Sequence, residues 1–233
     1  MIDRTANSQQ GIIIHTENLW RTYFRGTEQE INALRGVNLE VNSGSLVVLQ
    51  GRSGSGKTTL LNILGGLDRP TKGIVRIFNQ DITSLSNKEV TRWRRERVGF
   101  IFQSFGLSPT LSAFENVELM LRIAGKSSKI RLDRTNYCLD LVGLMKRKDH
   151  RPDEMSGGQQ QRVAIARSLA NNPKLILADE PTGELDSSTG REILLIFKRI
   201  VEEENITLLM ASHDPLVDDY ADKIFHLQDG IIL

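Results

Sequence analysis

The residues of the chain that could do chemistry begin with a glycine-rich loop, Gly51-Arg52-Ser53-Gly54-Ser55-Gly56-Lys57-Thr58. Its spacing fits G-x-x-x-x-G-K-[ST], in which glycines let successive backbone N–H groups turn toward phosphate oxygens. We expect Lys57 to reach the β- and γ-phosphates of a nucleotide and the Thr58 hydroxyl to ligate Mg²⁺. A glycine-rich turn that binds nothing is disfavoured, because an apolar run precedes the loop and a helical pattern follows it.

Two adjacent carboxylates, Asp179 and Glu180, end another apolar run that predicts a buried strand. An acid in this position can hold Mg²⁺ directly or through water, and the acid beside it can orient or deprotonate an attacking water. We therefore assign Asp179 to the metal and Glu180 to the water. Ordinary surface acids are the alternative, which the glycine loop upstream makes the weaker interpretation.

Two further polar residues, Gln103 and His213, also follow runs that predict buried strands. Ligands of open parallel sheets bind at the carboxyl ends of the strands, so these residues are expected near the phosphates. The Gln103 carbonyl can touch Mg²⁺ or a water, and His213 can donate to a γ-phosphate oxygen. A lone glutamine is a weak signal, and a lone histidine is most often only a surface or core residue.

A second glycine turn, Ser156-Gly157-Gly158-Gln159, opens an alanine-rich helix. Ser156 and Gln159 fit a capping box. Glycines in a first turn cost a helix about 1 kcal/mol each, whereas missing side chains permit close approach to a phosphate. Because the first loop already holds the phosphates of one nucleotide, this helix end is expected to serve a nucleotide held by a second copy.

Aromatic and basic residues elsewhere give two weaker signals. Tyr23, between two predicted strands, could stack on a nucleotide base, with Trp20 and Phe24 as further candidates; the alternative is packing on a small sheet. Five cations between Lys88 and Arg97 could contact nucleic acid. We favour a solvated helix face there, because acidic residues interleave and stacking aromatics are scarce.

The elements that must position these residues form an α/β pattern. Apolar runs at residues 46–50, 98–102, 174–178 and 206–211 predict strands of a mostly parallel sheet. Residues 12–50 are strand-rich. Residues 104–155 or so predict an inserted helical subdomain, with one helix from a capping box at Ser112 to about Gly125. A second helix is predicted from about Ser128 to Gly143, with Leu132, Leu139 and Val142 as its apolar positions. The loop residues Leu107, Pro109 and Leu111 could be packing or a docking surface.

Length and composition limit the classes of protein to which the chain can belong. The 233 residues predict one domain over residues 1–233, and a net charge of +1 gives no bulk attraction to nucleic acid or anionic lipid. The single cysteine, Cys138, excludes an intramolecular disulfide and fits a reducing cytosol. Residues 1–10 are polar and predict no secretory signal, and no apolar run approaches the roughly 20 residues that span a bilayer. Work at a membrane would therefore need another chain that spans it.

These motifs, in this order and approximate spacing, resemble the ATP-binding cassette (ABC) ATPase family over nearly the whole chain. The resemblance implies a P-loop NTPase core with an antiparallel β subdomain and an inserted helical subdomain, with ATP and Mg²⁺ as cofactors. It also implies two copies head to tail, with two ATP between one copy's glycine loop and the other's Ser156 turn. The residues implied for the nucleotide are Tyr23, Arg52, Ser53, Gly54, Ser55, Gly56, Lys57, Thr58, Thr59, Ser156, Gly157, Gly158 and Gln159; for the metal Thr58, Gln103 and Asp179; for catalysis Glu180, His213 and Gln103.

A finer likeness is carried by Phe102-Gln103-Ser104-Phe105 and Pro181-Thr182-Gly183, which are similar to macrolide-exporter, lipoprotein-releasing and cell-division ATPases. It implies a chain that drives a separate membrane permease from the cytoplasmic face of the inner membrane. We favour a homodimer over a heterodimer, because one chain carries every element of a competent site, and we expect no nucleic-acid partner. Met155 and Glu184 depart from the subgroup, where leucine and a neutral residue are common. The alternative is an ABC ATPase acting on DNA or ribosomes, which usually has coiled-coil inserts or two cassettes. A P-loop GTPase or small-molecule kinase leaves the Ser156 turn unexplained.

Overall fold

The strands and helices come from a computed structural model, which describes residues 11–233. The polar segment 1–10, for which we expected no secretory signal, lies outside the described residues. The strands are β1 (Ile12–Tyr23), β2 (Ile31–Asn42), β3 (Leu46–Gln50), β4 (Lys72–Ile77), β5 (Gln80–Asp81), β6 (Val98–Ile101), β7 (Leu175–Asp179), β8 (Thr207–Ser212), β9 (Lys223–Gln228) and β10 (Ile231–Ile232). The α-helices are α1 (Lys57–Leu64), α2 (Asn87–Arg97), α3 (Ala113–Ile123), α4 (Ser128–Leu141), α5 (Gly157–Leu169) and α6 (Ser187–Glu204).

One sheet is antiparallel, with the strand order β2-β1-β4-β5. Its first strand is longer than predicted, because Trp20 and Tyr23 lie within β1 rather than between strands. Pairing with β2 continues across register shifts between Thr16 and Leu19, where Asn18 takes a positive φ of 45°. A bulge of this kind lets a long strand stay paired while it bends.

The second sheet carries the candidate site residues, with the order β10-β9-β3-β8-β7-β6. All of its strands run parallel except β10, which pairs antiparallel with β9. Alternate residues of β3 enter different clusters, with Val48 in one apolar cluster and Val47 in the other. Both faces of the sheet are therefore covered, which explains the continuous apolar runs of the sequence. The predicted α/β fold with a mostly parallel sheet is confirmed.

Two helices, α3 and α4, lie between β6 and α5 in the chain and pack on each other and on α5. The capping box at Ser112 is present: its hydroxyl accepts from the Glu115 N–H at 3.2 Å, and the Glu115 carboxylate accepts from the Ser112 N–H at 2.8 Å. Leu139 and Val142 are buried as expected. Leu132 is 51% exposed, so its prediction as a core position was wrong: α4 becomes buried only from Thr135 onward.

The buried face of α4 also holds Cys138, which is fully buried. Burial raises the pKa of its thiol to about 11, since a thiolate is poorly stabilised away from water. Within residues 11–233, no helix is long and apolar enough to cross a membrane.

The cationic segment that follows Ser86 forms α2, as favoured over a nucleic-acid surface. A capping box between Ser86 and Glu89, which we did not predict, begins this helix. Trp93 is buried under it with 6% exposure, and Arg94 Nη1 donates to the Gly66 carbonyl at 2.5 Å. One face of α2 therefore packs on the core, while the remaining cations lie at the surface.

Candidate active site

The glycine loop joins β3 to α1 and lines a cavity of about 610 Å³. Gly56, with a φ of 108°, precedes the first residue of α1. A Cβ at Gly56 would lie 2.6 Å from the Ala33 carbonyl oxygen, so both the φ angle and the close approach require glycine. The start of α1 therefore adds the partial positive charge of a helix N-terminus to the cavity. The predicted residues that line the cavity are Ser53, Gly54, Ser55, Gly56, Lys57, Thr58, Thr59, Gln103, Glu180 and His213. Arg52 lines an adjoining cavity of about 500 Å³ instead.

Lys57 lies buried inside the curve of this loop, with 6% exposure. Its ammonium donates to the carbonyl of Gly51 at 2.7 Å and to that of Arg52 at 3.2 Å. The same Nζ lies 3.2 Å from Glu180 Oε1. A buried cation needs such partners, and here it joins the loop to the end of β7.

Glu180 follows β7 directly and has both carboxylate oxygens engaged. Oε1 faces Lys57, and Oε2 accepts from His213 Nδ1 at 2.9 Å. The backbone at Glu180 has a φ of 47°, a left-handed conformation that costs a non-glycine residue about 1–2 kcal/mol. Bonds from the Glu180 N–H to the Ala211 carbonyl and from the Gly183 N–H to the Glu180 carbonyl, both 3.0 Å, hold it there. The carboxylate is thus aimed into the cavity by a strained turn.

Asp179, the last residue of β7, is half-buried. Burial raises the pKa of the Asp179 carboxyl above its usual range, while a hydrogen bond with the Thr58 side chain opposes the rise. Its Oδ1 is buried and has no hydrogen-bond partner in the described part of the chain. This spare oxygen, the Thr58 hydroxyl and the nearby Gln103 amide make an oxygen-rich donor set. Mg²⁺ prefers such donors, typically one or two carboxylates completed by phosphates and water, so the residues fit this ion.

The Ser156 turn lies elsewhere: Ser156 is exposed and is not among the residues that line this cavity. Its predicted capping box is present, with Ser156 Oγ accepting from the Gln159 N–H at 3.3 Å. The two glycines of this turn differ in how much space surrounds them. A Cβ on Gly157 would meet only Leu185 at 3.4 Å and Phe105 at 3.8 Å, so Gly157 has room.

At Gly158 a Cβ would lie 2.5 Å from Thr189 Cγ2. Packing of α5 against the first turn of α6 therefore requires this glycine, whatever approaches the helix end. Our sequence argument assigned both glycines to phosphate approach, and for Gly158 the structure supplies this separate reason.

Tyr23 does not line the cavity in the described structure. Its hydroxyl donates to Asp68 at 2.8 Å, and the Arg21 guanidinium lies 4.3 Å from the centre of its ring. Arg21 pairs with the same carboxylate at 2.8 Å. These contacts fix the ring beside the end of α1 and cover one of its faces. Stacking of Tyr23 on a base stays a prediction, and Phe24, a further candidate, is 62% exposed.

Several residues of the cavity wall were missed by the sequence analysis, including Glu30, Asn32 and Asp229. The Asp229-Gly230 turn returns to the glycine loop, because the Gly230 N–H donates to the Ser55 carbonyl at 3.0 Å. The dipeptide was recognisable as a turn. Its contact with the loop depends on the pairing of β9 with β3, for which the sequence gives no local signal.

Comparison with known proteins gives one consistent family. Residues 34–183 match the family described as ABC transporter. The chain is 47% identical over 222 residues to the uncharacterized ABC transporter ATP-binding protein MJ0796 of Methanocaldococcus jannaschii, covering 94% of each protein. It is 46% identical over 222 residues to the macrolide export ATP-binding/permease protein MacB of Syntrophobacter fumaroxidans. That match covers 94% of this chain and 31% of MacB, so the chain spans about a third of that relative's length.

Two solved structures of the MJ0796 cassette have the same fold. One is a dimeric post-hydrolysis state bound to ADP and Pi, with a TM-score of 0.86 and 44% identity over 94% of this chain and 96% of that one. The other is a dimeric cassette with a TM-score of 0.86 and 46% identity over the same shares.

Proposed function

The chain belongs to the ABC transporter family and is an ATP-binding, ATP-hydrolysing domain, and from this premise we propose that two copies close on two ATP molecules to drive a membrane permease. The observation that carries this proposal is the division of the site residues. The glycine loop, Gln103, Glu180 and His213 share one cavity, whereas Ser156 lies outside it. A site divided in this way is completed by a second copy.

The residues of the cavity have distinct proposed roles in ATP hydrolysis. Water attacks the γ-phosphorus, the bond from that phosphorus to the β–γ bridging oxygen breaks, and ADP and inorganic phosphate leave. Glu180 takes the proton of the water, and His213 donates to a γ-phosphate oxygen. Lys57 exchanges its contact with Glu180 for the phosphates, which frees the carboxylate to act as the base.

Mg²⁺ is the proposed metal, and Thr58, Gln103 and Asp179 are the residues that would hold it, directly or through water. When bound, Mg²⁺ neutralises charge on the β- and γ-phosphate oxygens. Backbone N–H groups of the loop, from Arg52 through Thr59, hold the phosphates, and Tyr23 stacks on the base. From the second copy, Ser156, Gly157, Gly158 and Gln159 complete the site.

Size measurement under trapping conditions tests the shared site. With ATP and no Mg²⁺, or as the Glu180→Gln variant, we expect the protein to elute at twice its monomer mass. Ser156→Arg should abolish this shift by filling the space of the γ-phosphate, while the monomer still binds nucleotide. Ser127→Arg, at the exposed N-cap of α4, is the matched control and should still dimerise. A persistent monomer well above micromolar concentration contradicts the proposal.

The permease is proposed to dock in a groove of about 460 Å³ between the sheet edge and α3. Apolar side chains line it, among them Phe102, Leu119, Met120 and Ile123, and three arginines, Arg94, Arg95 and Arg167, line it as well. A short cytoplasmic helix with an apolar face and an acidic end has the matching shape and charge. Leu107, one of the loop residues for which the sequence left packing and docking open, does not line this groove. Its side chain is partly buried against the core.

This docking places the chain at the cytoplasmic face of the inner membrane as a peripheral protein. We propose that the permease is a separate chain, as the resemblance described in the sequence analysis implies. Binding of nucleic acid is not part of the proposal, since Trp93 and Arg94 of the basic helix are engaged by the core.

A further inference from the structure

Arg167, near the end of α5, binds the segment that follows Gln103. Its guanidinium is partly buried and donates to the carbonyl of Phe105 at 2.8 Å and to the carbonyl of Gly106. Arginine keeps its charge in this setting, so both bonds are charge-assisted and hold two successive carbonyls in a fixed fork. No step proposed for ATP hydrolysis uses this side chain, which also lines the groove proposed for docking.

The segment that Arg167 holds has an unusual backbone. Phe105 and Gly106 both have left-handed φ angles, of 57° and 62°. For Phe105 this conformation costs about 1–2 kcal/mol, and such residues persist only where their surroundings determine them. Besides Arg167, the bonds that hold the turn are from the Phe105 N–H to the Phe102 carbonyl and from the Gly106 N–H to the Ser104 carbonyl.

The same segment touches both ends of α5. A Cβ on Gly157, in the first turn, would lie 3.8 Å from the Phe105 ring, while Arg167 in the last turns holds the Phe105 carbonyl. The helix that begins at the Ser156 turn is therefore fastened to the loop that carries Gln103.

We propose that Arg167 is a positioning residue. It couples the position of Gln103 to the position of the Ser156 turn in the same copy. The inference rests on the proposed function, in which this turn completes the other copy's site while Gln103 serves its own. When the Ser156 turn closes on the nucleotide of the other copy, α5 would thus transmit that movement to Gln103 in its own copy's site. Arg167 itself touches neither the nucleotide nor the reacting atoms.

Steady-state hydrolysis of ATP by Arg167→Ala tests this role. A small misplacement of a catalytic group can cost up to about a hundredfold in rate, so we expect kcat to fall by about 10- to 100-fold. The dissociation constant of a fluorescent ATP analogue should change less than about twofold, because the glycine loop is untouched. In the Gln103→Ala background, Arg167→Ala should cause little further loss, since residues that act as a unit are not additive.

Arg162→Ala is the matched control on the same helix. Arg162 is also half-buried, but it donates to Glu192 at 2.5 Å and to the Val142 carbonyl at 3.5 Å, away from the Gln103 loop. It should lower the melting temperature of the protein and leave kcat within about twofold. Arg167→Lys, which keeps the charge and one donor, should recover part of kcat and replaces the alanine variant if that one does not fold.

Two results overturn the inference. One is a fall of kcat in the Gln103→Ala, Arg167→Ala double variant that equals the product of the two single-variant falls. The other is a fall of kcat in Arg162→Ala as large as the fall in Arg167→Ala. Either one assigns Arg167 to general stability of the helix. Failure of the proposed function is a different result, in which the wild-type protein stays a monomer under the trapping conditions described above.

Discussion

At the scale of single residues, the two oxygens of Glu180 are divided between a lysine and a histidine. Lys57 and His213 hold the carboxylate in a left-handed turn at the end of β7. These contacts and the turn give the carboxylate one orientation, facing the cavity in which we propose that it acts as the base. Replacing the carboxylate by an amide should retain this shape and remove the basicity.

We therefore expect Glu180→Gln to bind ATP and to hydrolyse it slowly. Loss of a general base typically costs on the order of 10²–10⁴ in rate, which is about 3–5 kcal/mol of barrier. Single-turnover hydrolysis of radiolabelled ATP measures the effect, with Glu192→Gln on the exposed face of α6 as the control. Turnover near the wild-type rate would remove Glu180 from its assigned role. Lys57→Ala should instead weaken binding, because a cation is lost from the phosphates.

Sequence reasoning selected Lys57, Asp179 and Glu180 as candidates because each belongs to a local pattern, a glycine loop or a buried strand ending in acids. It could not identify the Lys57–Glu180 pair, because that contact forms only when β3 and β7 take their places in one sheet. The clash that fixes Gly158 was missed for the same reason, since Thr189 belongs to another helix.

At the scale of elements, capping signals were the most reliable guide. The S-x-x-E box at Ser112 placed the start of α3 correctly, because its bonds lie within one turn of the chain. Burial along α4 was harder to predict. Leu132 and Leu139 lie on nearly the same face of a helix, yet only Leu139 is covered. Which half of a helix is covered depends on its neighbours.

The cap of α3 gives an element-scale test. Ser112→Ala should lower the free energy of unfolding by about 1 kcal/mol, because the Glu115 N–H loses its acceptor. Ser127→Ala is the matched control, since the Ser127 side chain makes no capping bond at the start of α4, and it should change stability by about 0.5 kcal/mol or less. Urea unfolding curves measure both. Equal losses in the two variants would contradict the assignment of the cap.

At the scale of the whole molecule, the groove beside α3 lies next to the loop that carries Gln103. Phe102, in its wall, is the residue directly before Gln103. Ile123 and Leu119 are 54% and 36% exposed there, so an apolar partner would cover surface that water now contacts. If this groove is the docking surface that we propose, a change at the nucleotide would reach it through the loop that joins Phe102 to Gln103.

Ile123→Asp and Leu119→Asp should release the protein from native membranes while basal ATP hydrolysis is retained. A charge in the groove opposes burial of an apolar helix face. Leu195→Asp is the matched control, because Leu195 is 57% exposed on α6, outside the groove. Membrane sedimentation followed by immunoblotting measures the effect. Retention of both groove variants would place the docking surface elsewhere, and a wild-type protein found only with ribosomes or DNA would contradict the transporter assignment.

The buried thiol of Cys138 has a practical consequence for watching the two copies move. With a pKa of about 11 instead of 9.0, the thiol has roughly a hundredfold less thiolate at pH 8, and its burial also shields it from reagents. The natural protein is therefore close to a cysteine-free background for maleimide chemistry. A cysteine introduced at an exposed position of α6 could carry a spin label or a fluorophore without removal of the native one. Distances between labels on the two copies could then be followed through a cycle of ATP binding and hydrolysis.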